Sequence, residues 1–506
     1  MSLLLAVDVG TTNLKAAVFD LDGRCVGIEK SPTIAHYDSK GHSVYKPEEI
    51  WGTISELLRK LTDSLDEDIS AVSVTSMTEA VVPLDKDGRE LFDIITWFDT
   101  RSIKEAEDIV AKIGQVKLFS ITGLDPNPIF SLCKMLWMKN NNPEVFQRAS
   151  QWLQMADYII YKLSGVLATD YTLATRTLAF DVRKNDWSDE ILDLFNVDRS
   201  LFPPVYESGT KLGGINHDAA IQTGIPEGTP VVIGGNDHPC ASLAAGVLNG
   251  NKILDSSGTA EAFIYVSQKH QEPPMEFKGQ RTCRYLDKDR YALWGGIISS
   301  GASFEWAYKL LTQVESWGLS QSPPEYAQIL SQVEEVPIGS NGVMFIPHMR
   351  GSGAPFWDPK MTGSFLGLKT TNTPQELLRA VLEGLAFQAR MIVEMHEQIA
   401  ESPVEALCVV GGSGKNLLWQ QIKADVIQKP IEICEEPEAS LLGAAILAGV
   451  GVGLFKDIAT ASTQLSKRNR QLVSNEKNKE NYQKLYEIYC DAYEATKTVS
   501  HRLKEF

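Results

Sequence analysis

Basic residues are scarce in this sequence relative to acidic ones. Its 506 residues include 48 lysines and arginines but 65 aspartates and glutamates, which gives a formal net charge of −17. Proteins that bind nucleic acid usually present a basic face, and docking on anionic lipid needs clusters of lysine and arginine. We therefore expect neither a nucleic acid nor a membrane surface as a partner.

Paired cysteines are missing as well. The seven cysteines are scattered from Cys25 to Cys490, their number is odd, and no two of them are spaced as C-x-x-C. This distribution disfavours a disulfide scaffold or a zinc ribbon, and it favours reduced thiols in the cytoplasm.

The sequence also has no long apolar run. The longest uncharged apolar stretch, residues 441–455, is too short to span a bilayer and contains four glycines, so we interpret it as a buried helix and loop. The opening residues, MSLLLAVDVG, lack the basic region of a signal peptide and place Asp8 at the end of their apolar run. A buried first strand and a cytoplasmic location are expected.

The length of the chain and its alternating patterns predict an α/β protein with two domains. A chain of this length exceeds what one hydrophobic core normally supports. Short β-like runs alternate with longer helical patterns, which is typical of α/β proteins. Helices are predicted over residues 47–61 and 374–399 and in the charged tail from residue 475 onward. Strands are predicted over residues 3–7, 16–19, 25–28, 71–75, 231–233, 252–255, 262–266 and 407–410.

The clearest helix signal begins at Thr373. Thr373 is a suitable N-cap, Pro374 occupies the first helical position, and Glu376 completes a T-x-x-E capping box. Apolar residues then recur every three or four positions as far as residue 399. The pattern predicts a long helix with one buried face.

A glycine-containing turn follows the first predicted strand. The stretch from Asp8 to Lys15 reads D-x-G-T-T-x-x-K. Gly10 lets the backbone turn tightly, so that successive N–H groups and the hydroxyls of Thr11 and Thr12 can surround phosphate oxygens. Asp8 is placed to hold a hydrated magnesium ion. A plain hairpin with a solvated aspartate explains the same residues, and the turn alone leaves both interpretations open.

A similar turn recurs in the second half of the chain. The residues S-S-G-T, which end with Gly258 and Thr259, also sit between two predicted strands. Two domains of like design that face each other would bring the two turns together. Taken alone, the second turn is an ordinary polar turn.

A third glycine turn reads G-G-S-G-K-N from Gly411 to Asn416. It departs from a Walker P-loop, because Val409 stands where the first glycine should be and Asn416 replaces the serine or threonine after the lysine. We interpret it as a strand-to-helix turn against which a nucleotide lies. A turn used only for packing is the alternative.

The stretch G-G-N-D-H-P, from Gly234 to Pro239, follows another predicted strand. Asn236 or Asp237 suits the N-cap of a helix, and Pro239 suits its first turn. Capping is therefore one explanation of these residues. The functional alternative is that Asp237 accepts a proton from a substrate hydroxyl as a general base, with His238 as a structural or substrate-contacting neighbour.

Two further stretches carry groups suited to the recognition of a polyol. The residues S-M-T-E, ending at Glu79, and W-F-D-T-R, from Trp97 to Arg101, each follow a strand-like run, where the loops of α/β proteins collect ligand residues. They supply polar groups beside an aromatic wall. An ion pair between Asp99 and Arg101 that fixes the loop is an equally good explanation of those two residues.

Taken in order, these motifs resemble the FGGY carbohydrate kinase family, in its xylulokinase-like branch, within the actin-like ATPase superfold. The markers are D-V-G-T-T-N-L-K, W-F-D-T-R, G-G-N-D, S-G-T, G-S-F-L-G-L at residues 363–368, and G-G-S-G-K-N, and they span nearly the whole chain. The resemblance implies an α/β protein with two RNase-H-like domains and a central cleft. Residues 1–244 would form the sugar-binding domain and residues 245–506 the ATP-binding domain. ATP, Mg²⁺ and, as in many members, a second copy of the chain are the implied partners.

The resemblance also implies roles for individual residues. Asp237 matches the catalytic aspartate, and Asp8 and Asp237 would hold the magnesium ion. The residues implied to contact the sugar or polyol are Met77, Thr78, Glu79, Trp97, Asp99, Arg101, Asn236 and His238. The residues implied to contact ATP are Gly10, Thr11, Thr12, Asn13, Lys15, Gly258, Thr259, Gly301, Gly411, Gly412, Ser413, Asn416 and Gln421.

The implied reaction is the ATP-dependent phosphorylation of a primary hydroxyl, with a ketopentose such as xylulose or ribulose as the favoured acceptor. The sugar loop S-M-T-E lacks the Met-His or Gln-His pair of xylulokinase-like members and the Arg-Glu pair of glycerol kinases. Gluconate, glycerol, erythritol and other linear polyols therefore remain alternatives, although Glu79 would disfavour a carboxylate if it faced the pocket. The competing class is an actin-like or chaperone-like nucleotide switch, which shares the phosphate turns but needs no sugar pocket.

Overall fold

Two mixed β-sheets with nearly the same strand order lie at the centres of the two halves of the chain. The structure is a computed structural model, and it describes residues 2–272, 279–312, 326–466 and 468–505.

The first sheet begins with an antiparallel meander whose inner strand is fully buried. Strands β1, β2 and β3 pair antiparallel, while β6 and β15 continue the sheet parallel to β1, and β14 closes it antiparallel. The buried apolar run of β1 is what the sequence predicts for a central strand. Its members are β1 (Leu3–Val9), β2 (Asn13–Phe19), β3 (Cys25–Pro32), β6 (Ile69–Ser76), β14 (Lys211–Gly214) and β15 (Pro230–Asn236).

The second sheet repeats this arrangement. Strands β16, β17 and β19 form the antiparallel meander, β22 and β23 run parallel to β16, and β24 closes the sheet antiparallel. One additional edge strand, β18, pairs with β19. The members are β16 (Lys252–Ser257), β17 (Glu261–Ser267), β18 (Arg281–Arg284), β19 (Tyr291–Ile297), β22 (Ala406–Val410), β23 (Ile431–Cys434) and β24 (Arg468–Leu472).

The shared topology confirms the prediction of two like α/β domains. All eight predicted strands lie inside observed strands of the two sheets. The remaining strands are short and were not predicted, because two to four residues carry too little pattern. They are β4 (His36–Tyr37), β5 (Ser43–Tyr45), β7 (Val81–Leu84), β8 (Ile94–Ile95), β9 (Gln151–Gln154), β10 (Thr169–Asp170), β11 (Phe180–Asp181), β12 (Asp186–Trp187), β13 (Val205–Tyr206), β20 (Met344–Ile346) and β21 (Ser364–Leu366).

Helices cover the sheets and connect their parallel strands. In the first half they are α1 (Pro47–Asp63), α2 (Ile103–Ile113), α3 (Gln115–Thr122), α4 (Ser131–Asn141), α5 (Pro143–Arg148), α6 (Met155–Ser164), α7 (Tyr171–Ala174), α8 (Asp189–Phe195), α9 (His217–Thr223) and α10 (Asp237–Ala244). In the second half they are α11 (Gly301–Thr312), α12 (Tyr326–Glu334), α13 (Pro374–Ala400), α14 (Leu417–Ile427), α15 (Ala439–Gly451), α16 (Ile458–Leu465) and α17 (Lys479–Leu503).

The three predicted helices are all present. Helix α13 begins with the predicted capping box, in which Thr373 and Glu376 bond reciprocally to each other's backbone. The stretch predicted as a buried helix and loop forms α15 and the turn after it. Among the described residues, no helix has both the length and the apolar content needed to cross a bilayer.

Helices α10 and α15 lie between the two sheets and cross closely. Helix α15 follows β23 of the second sheet in the chain, yet it packs on β1, β6 and β15 of the first. A Cβ atom on Gly443 of α15 would lie 1.9 Å from the carbonyl oxygen of Cys240 in α10. Only glycine permits this approach. The predicted boundary between residues 244 and 245 falls at the end of α10 and stays a prediction.

The core of the second half contains a buried histidine without a polar partner. His396 of α13 is fully buried, and neither ring nitrogen has a hydrogen-bond partner in the described part of the chain. Burial lowers the pKa of His396 to about 3. The folded protein therefore holds this imidazole in its neutral form.

We expect this histidine to make the protein sensitive to acid. The unfolded chain protonates His396 near pH 6.5, whereas the folded chain protonates it only near pH 3. The free energy of unfolding is therefore undiminished by this group above pH 6.5 and falls as the pH drops below 6.5. The loss amounts to about 1.4 kcal/mol for each pH unit. His396→Leu should therefore flatten the fall in the free energy of unfolding between pH 6.5 and 4.5.

Urea unfolding at a series of pH values measures this effect. His217→Gln, which changes an exposed histidine, is the matched control and should retain the steep dependence. An equally steep dependence in His396→Leu would show that another group governs the acid sensitivity.

Candidate active site between the two sheets

The first glycine turn connects β1 to β2, as the sequence predicts. The N–H of Gly10 donates to the carbonyl oxygen of Asn13 at 3.1 Å, and a Cβ atom on Gly10 would lie only 2.8 Å from that oxygen. Thr11 and Thr12 at the tip are exposed. The turn thus needs glycine, and its hydroxyls are accessible to a ligand. That this ligand is a phosphate stays a prediction.

Asp8, the second-last residue of β1, carries a buried carboxylate. Its Oδ1 atom has no hydrogen-bond partner in the described residues. Burial, followed by the negative charge of Asp237, raises the pKa of Asp8 to about 8, and Lys15 opposes that rise. Asp8 and Asp237 are therefore close enough to interact, although they are 229 positions apart in the chain, as 237 − 8 gives.

This carboxylate pair fits a hydrated magnesium ion. Mg²⁺ binds through one or two carboxylates and retains several waters, and the unpartnered Oδ1 of Asp8 supplies an oxygen donor of that kind. The described residues contain no cluster of three or more histidine, cysteine or acidic side chains that would enclose a metal. A dedicated protein cage for a metal is thus not seen in those residues.

Lys15 forms an ion pair that links the two halves of the chain. Its ammonium group contacts the carboxylate of Glu438, which directly precedes α15. Both side chains are about three-quarters buried. The sequence predicted Lys15 as a phosphate contact and gave no indication of Glu438, because 423 residues separate the two.

Asp237 is the first residue of α10 and follows the end of β15. Asn236 is the N-cap, and its side chain accepts a hydrogen bond from the N–H of His238 at 2.9 Å. The capping explanation therefore holds for Asn236. The Asp237 carboxylate is 27% exposed and also accepts from the N–H of His238, at 2.8 Å. Asp237 is thus left accessible beside the buried Asp8.

The sugar loop contacts the first glycine turn. Met77 and Thr78 are buried just after β6. The hydroxyl of Thr11 lies 3.9 Å from the sulfur of Met77, and the indole N–H of Trp97 donates to the same hydroxyl at 2.9 Å. The structure therefore brings together three of the residues that the sequence assigned to separate phosphate and sugar motifs.

Glu79 is engaged by residues that the sequence did not single out. Its carboxylate pairs with the guanidinium of Arg176, whose Nε donates to Oε1 at 2.7 Å. Its carbonyl oxygen accepts from Lys134 Nζ at 2.9 Å, and burial lowers the pKa of that lysine to about 7. The charge of Glu79 is thus neutralised within the protein.

Asp99 and Arg101 form the ion pair that was the structural alternative for them. Arg101 Nε donates to Asp99 Oδ1 at 2.8 Å, and both side chains are buried. Asp99 also accepts from the N–H of Ser43 at 2.6 Å, while the guanidinium of Arg101 lies over the ring of Trp137. These contacts fix the loop after β8. A direct contact of either side chain with a sugar stays a prediction.

A cationic and aromatic cluster includes His238, the residue after Asp237, and we call it the sugar-side cluster because the resemblance implies that His238 contacts the sugar. His238 packs edge-on against Trp294, with ring centroids 5.5 Å apart. Arg176 lies 5.3 Å from the same ring. Arg281, at the start of β18, lies over Trp357 at 5.2 Å and has no carboxylate within ion-pair distance among the described residues. Sequence reasoning missed this cluster because its members come from both halves of the chain.

The sugar-side cluster carries an excess of positive charge. Burial, and then the like charge of Arg176, lower the pKa of Arg281 to about 10. Arg281 also lies 5.8 Å from the ring of Phe130, which Arg176 approaches from 5.2 Å. Glu79 is already paired with Arg176. The guanidinium of Arg281 is therefore a positive charge in this cluster that no carboxylate of the described residues pairs with.

The second glycine turn connects β16 to β17 and is backed by the start of α11. The N–H of Gly258 donates to Ala260, and Gly258 and Thr259 are exposed. The N–H of Gly301 donates to the carbonyl oxygen of Gly258 at 3.1 Å, and a Cβ atom there would lie 2.4 Å from that oxygen. Gly301 thus supports the turn from behind.

The third glycine turn packs against the end of β16. Gly411 has a φ of +91°, and a Cβ atom on it would lie 2.6 Å from the carbonyl oxygen of Ser257. Gly412 has nothing within 4 Å of such an atom. Asn416 is the N-cap of α14 and accepts from the N–H of Trp419 at 3.1 Å. The second and third turns are therefore neighbours.

The side chain of Gln421 is directed elsewhere. Its amide donates to Asp425 and to the carbonyl oxygen of Val473, both at 2.9 Å. The neighbouring Gln420 is the residue that donates to the carbonyl oxygen of Ser413, at 3.0 Å. A contact of Gln421 with ATP stays a prediction, and the bond from Gln420 to the glycine turn was not predicted.

Comparison with known proteins places this geometry in context. The sequence models of the FGGY family of carbohydrate kinases match residues 3–244 as the N-terminal domain and residues 255–452 as the C-terminal domain. A xylulose kinase of Bacillus subtilis (strain 168) is 28% identical over 511 residues, with 100% of this chain and 99% of the relative covered. A glycerol kinase of Saccharolobus islandicus (strain M.16.27) is 30% identical, with 90% and 89% covered. The solved structure of a gluconate kinase from Lactobacillus acidophilus superposes with a TM-score of 0.90 at 26% identity, with 98% of each chain covered.

Two adjacent glycines allow the third turn to be tested. Gly411→Ala forces a side chain into the left-handed region and against Ser257, which should cost about 1–3 kcal/mol of stability. Gly412→Ala meets no protein atom and should leave the melting temperature unchanged. If a nucleotide lies against this turn, Gly412→Ala should weaken ATP binding by about tenfold, which is roughly 1.4 kcal/mol.

Isothermal titration with ATP and thermal melts separate the two effects. Normal ATP affinity in a folded Gly412→Ala protein would remove this turn from the nucleotide site.

Proposed function

Because the chain belongs to the FGGY family of carbohydrate kinases, which are phosphotransferases that use ATP, we propose that it phosphorylates a primary hydroxyl of a ketopentose such as xylulose or ribulose. The observation that carries the proposal is the accessible Asp237 carboxylate, which interacts with the buried Asp8 before the first glycine turn and directly precedes His238 of the sugar-side cluster. Family membership favours this kinase over an actin-like or chaperone-like nucleotide switch.

Asp237 acts as the general base. It orients the acceptor hydroxyl and takes its proton as the phosphoryl group arrives. The first turn of α10 fixes its backbone through the Asn236 cap, so the carboxylate is held in one position. Asn236 and His238 border the acceptor on either side of this base.

The two hairpin turns bind the phosphates of ATP. Their backbone N–H groups and the hydroxyls of Thr11, Thr12 and Thr259 stabilise charge on the phosphoryl oxygens, and positioning of this kind supplies most of the rate enhancement in phosphoryl transfer. Lys15 adds a positive charge at the first turn. The third turn, from Gly411 to Asn416, lies against the adenosine part of the nucleotide.

Asp8 and Asp237 are the residues that would hold Mg²⁺, which when bound would neutralise charge on the phosphates. The carboxylate of Asp8 supplies the oxygen that lacks a protein partner, and it becomes a better ligand once it loses its proton. A cytoplasmic location and a homodimer stay predictions.

The similarity to xylulose kinases over the full chain supports the ketopentose. Trp97 and Trp294 supply apolar walls, while Glu79 and Arg176 form a neutral pair that presents both acceptors and donors to sugar hydroxyls. A polyol needs groups of both kinds beside an aromatic wall.

A sugar acid is the second candidate, and Arg281 is the observation that favours it. Its guanidinium has no carboxylate partner among the described residues and lies beside the paired Arg176. Glu79 was expected to repel a carboxylate, but its charge is neutralised by Arg176. Arginine suits the bidentate recognition of a carboxylate.

Substitution of Asp237 tests the proposed base. Asp237→Asn should lower kcat by about 10² or more, since general-base catalysis contributes about that much, while ATP affinity stays nearly unchanged. Coupled ADP release with a panel of sugars measures kcat, and calorimetry measures ATP binding. Asp218→Asn, at the exposed start of α9, is the control. Full activity in a folded Asp237→Ala protein would disprove the assignment.

Substitution of Arg281 decides between the two acceptor classes. If the acceptor is a sugar acid, Arg281→Met should raise its KM by about tenfold or more, because hydrogen bonds to charged groups contribute about 1.5–3 kcal/mol. The KM of a neutral ketopentose should change by less than about twofold. Lys288→Met removes an exposed positive charge and serves as the control. A wild-type enzyme that accepts ketopentoses but no aldonic acid would eliminate the second candidate.

A further inference from the structure

A lysine with two carboxylates is buried beneath the proposed nucleotide turns. Lys423 of α14 is fully buried. Its Nζ atom lies 2.7 Å from Asp255 Oδ2 and also pairs with Glu261 Oε1, and neither carboxylate is accessible. The ammonium group also lies 4.4 Å from the ring of Trp419. None of the sequence motifs includes this lysine triad of Lys423, Asp255 and Glu261.

The lysine triad connects the two strands that flank the second turn. Asp255 lies near the end of β16, before the turn, and Glu261 is the first residue of β17, after it. One ammonium group therefore fixes the two strands on either side of Gly258 and Thr259. The hydroxyl of Ser300, just before α11, donates to the other carboxylate oxygen of Glu261, so the support behind the turn is tied to the same group.

The lysine triad also connects this turn to the third one. Lys423 lies two turns into α14, whose N-cap Asn416 ends the third turn. At the other end of that turn, Gly411 packs directly against Ser257 of β16. The ion pairs and the glycine contact thus join the same two turns at two separate points.

The charges of the lysine triad allow it to be buried. Burial, and then the charge of Glu261, raise the pKa of Asp255 well above its usual range. Burial opposes the charge of Lys423, but the two carboxylates outweigh it and raise the pKa of the lysine. The ammonium group of Lys423 thus lies directly against two carboxylates. This pairing avoids the cost of an uncompensated charge in the interior.

Buried ion pairs contribute little to net stability compared with apolar packing, so their directional geometry is their distinctive property. Apolar residues would hold α14 against β16 without fixing the spacing of the two turns. The lysine triad contacts neither the acceptor side nor Asp237 among the described residues. Its influence is thus confined to the nucleotide side.

We propose that Lys423 is a positioning residue that sets the spacing of the second and third glycine turns and thereby the affinity for ATP, without touching ATP itself. The proposal rests on the proposed function, because it takes these two turns to be the nucleotide site. Loss of the lysine triad should weaken the binding of ATP and leave the binding of the acceptor sugar unchanged.

The test uses a variant in which the whole triad is neutral. Lys423→Met alone leaves two buried carboxylates and is expected to fold poorly. The triple variant Asp255→Asn, Glu261→Gln and Lys423→Met removes all three ionisable groups together and keeps side chains of similar size. We expect it to fold, with a Kd and a KM for ATP raised by about tenfold or more, and a KM for the acceptor within about twofold of the wild type.

A matched control is available in the same half of the chain. Arg379 and Glu383 of α13 form another buried ion pair, which contacts Gly339, Ser340 and Tyr482 rather than the glycine turns. The double variant Arg379→Met and Glu383→Gln removes that pair. It should change the melting temperature without changing the ratio of the KM for ATP to the KM for the acceptor.

Each outcome bears on the proposal. A selective loss of ATP affinity in the triple variant alone supports it. Unchanged ATP affinity in the folded triple variant overturns it, as does an equal loss in the triple variant and the Arg379/Glu383 control. Normal ATP affinity in Gly412→Ala together with a loss in the triple variant would instead contradict the proposed nucleotide site, which separates the two failures.

Discussion

The close crossing of α10 and α15 is the contact on which the candidate site depends. Gly443 lets α15 approach the backbone of α10 where any side chain would collide with Cys240. Helix α10 begins with Asp237, and α15 begins directly after Glu438, the partner of Lys15. The packing of one glycine thus brings together the proposed base, the first glycine turn and a carboxylate from the second half. Without this contact, the turns of the two sheets would lie on two separate halves of the protein.

The negative net charge of the protein makes local electrostatics decisive. A chain with a charge of −17 cannot attract a polyphosphate over long range, since steering requires charge of the opposite sign. The site adds to the difficulty, because the buried Asp8 lies near the negative charge of the accessible Asp237. Two such carboxylates are stable together only if one is protonated or a cation lies between them. The same pair is therefore costly when bare and well suited to a magnesium–nucleotide complex.

The sequence predicted the parts of the fold that depend on local pattern. The turns after β1 and β16, the capping box of α13 and the N-cap at Asn236 each follow from a few adjacent residues. The contacts of side chains across long separations could not be predicted in this way. Glu79 and Arg176 are 97 residues apart, and Lys423 and Asp255 are 168 apart. The bond from Gln420 to Ser413 was not predicted either, because the direction of a side chain depends on packing that the motif does not specify.

The repeated and unrepeated parts of the fold divide the chemistry between them. The hairpin turns, the end of β1 with Asp8 and the end of β15 before Asp237 belong to elements present in both sheets, and under the proposed function they supply the groups for phosphoryl transfer. Phe130, Arg176 and Arg281 of the sugar-side cluster come from elements without a counterpart in the other half. Phe130 and Arg176 flank helices inserted between β6 and β15, and Arg281 begins the additional edge strand β18. Under the proposed function, changes in these inserted elements would alter the acceptor and leave the glycine turns in place. Relatives named for xylulose, gluconate and glycerol share one architecture with this chain, and we expect the identity of the acceptor to depend on the few side chains around Arg281.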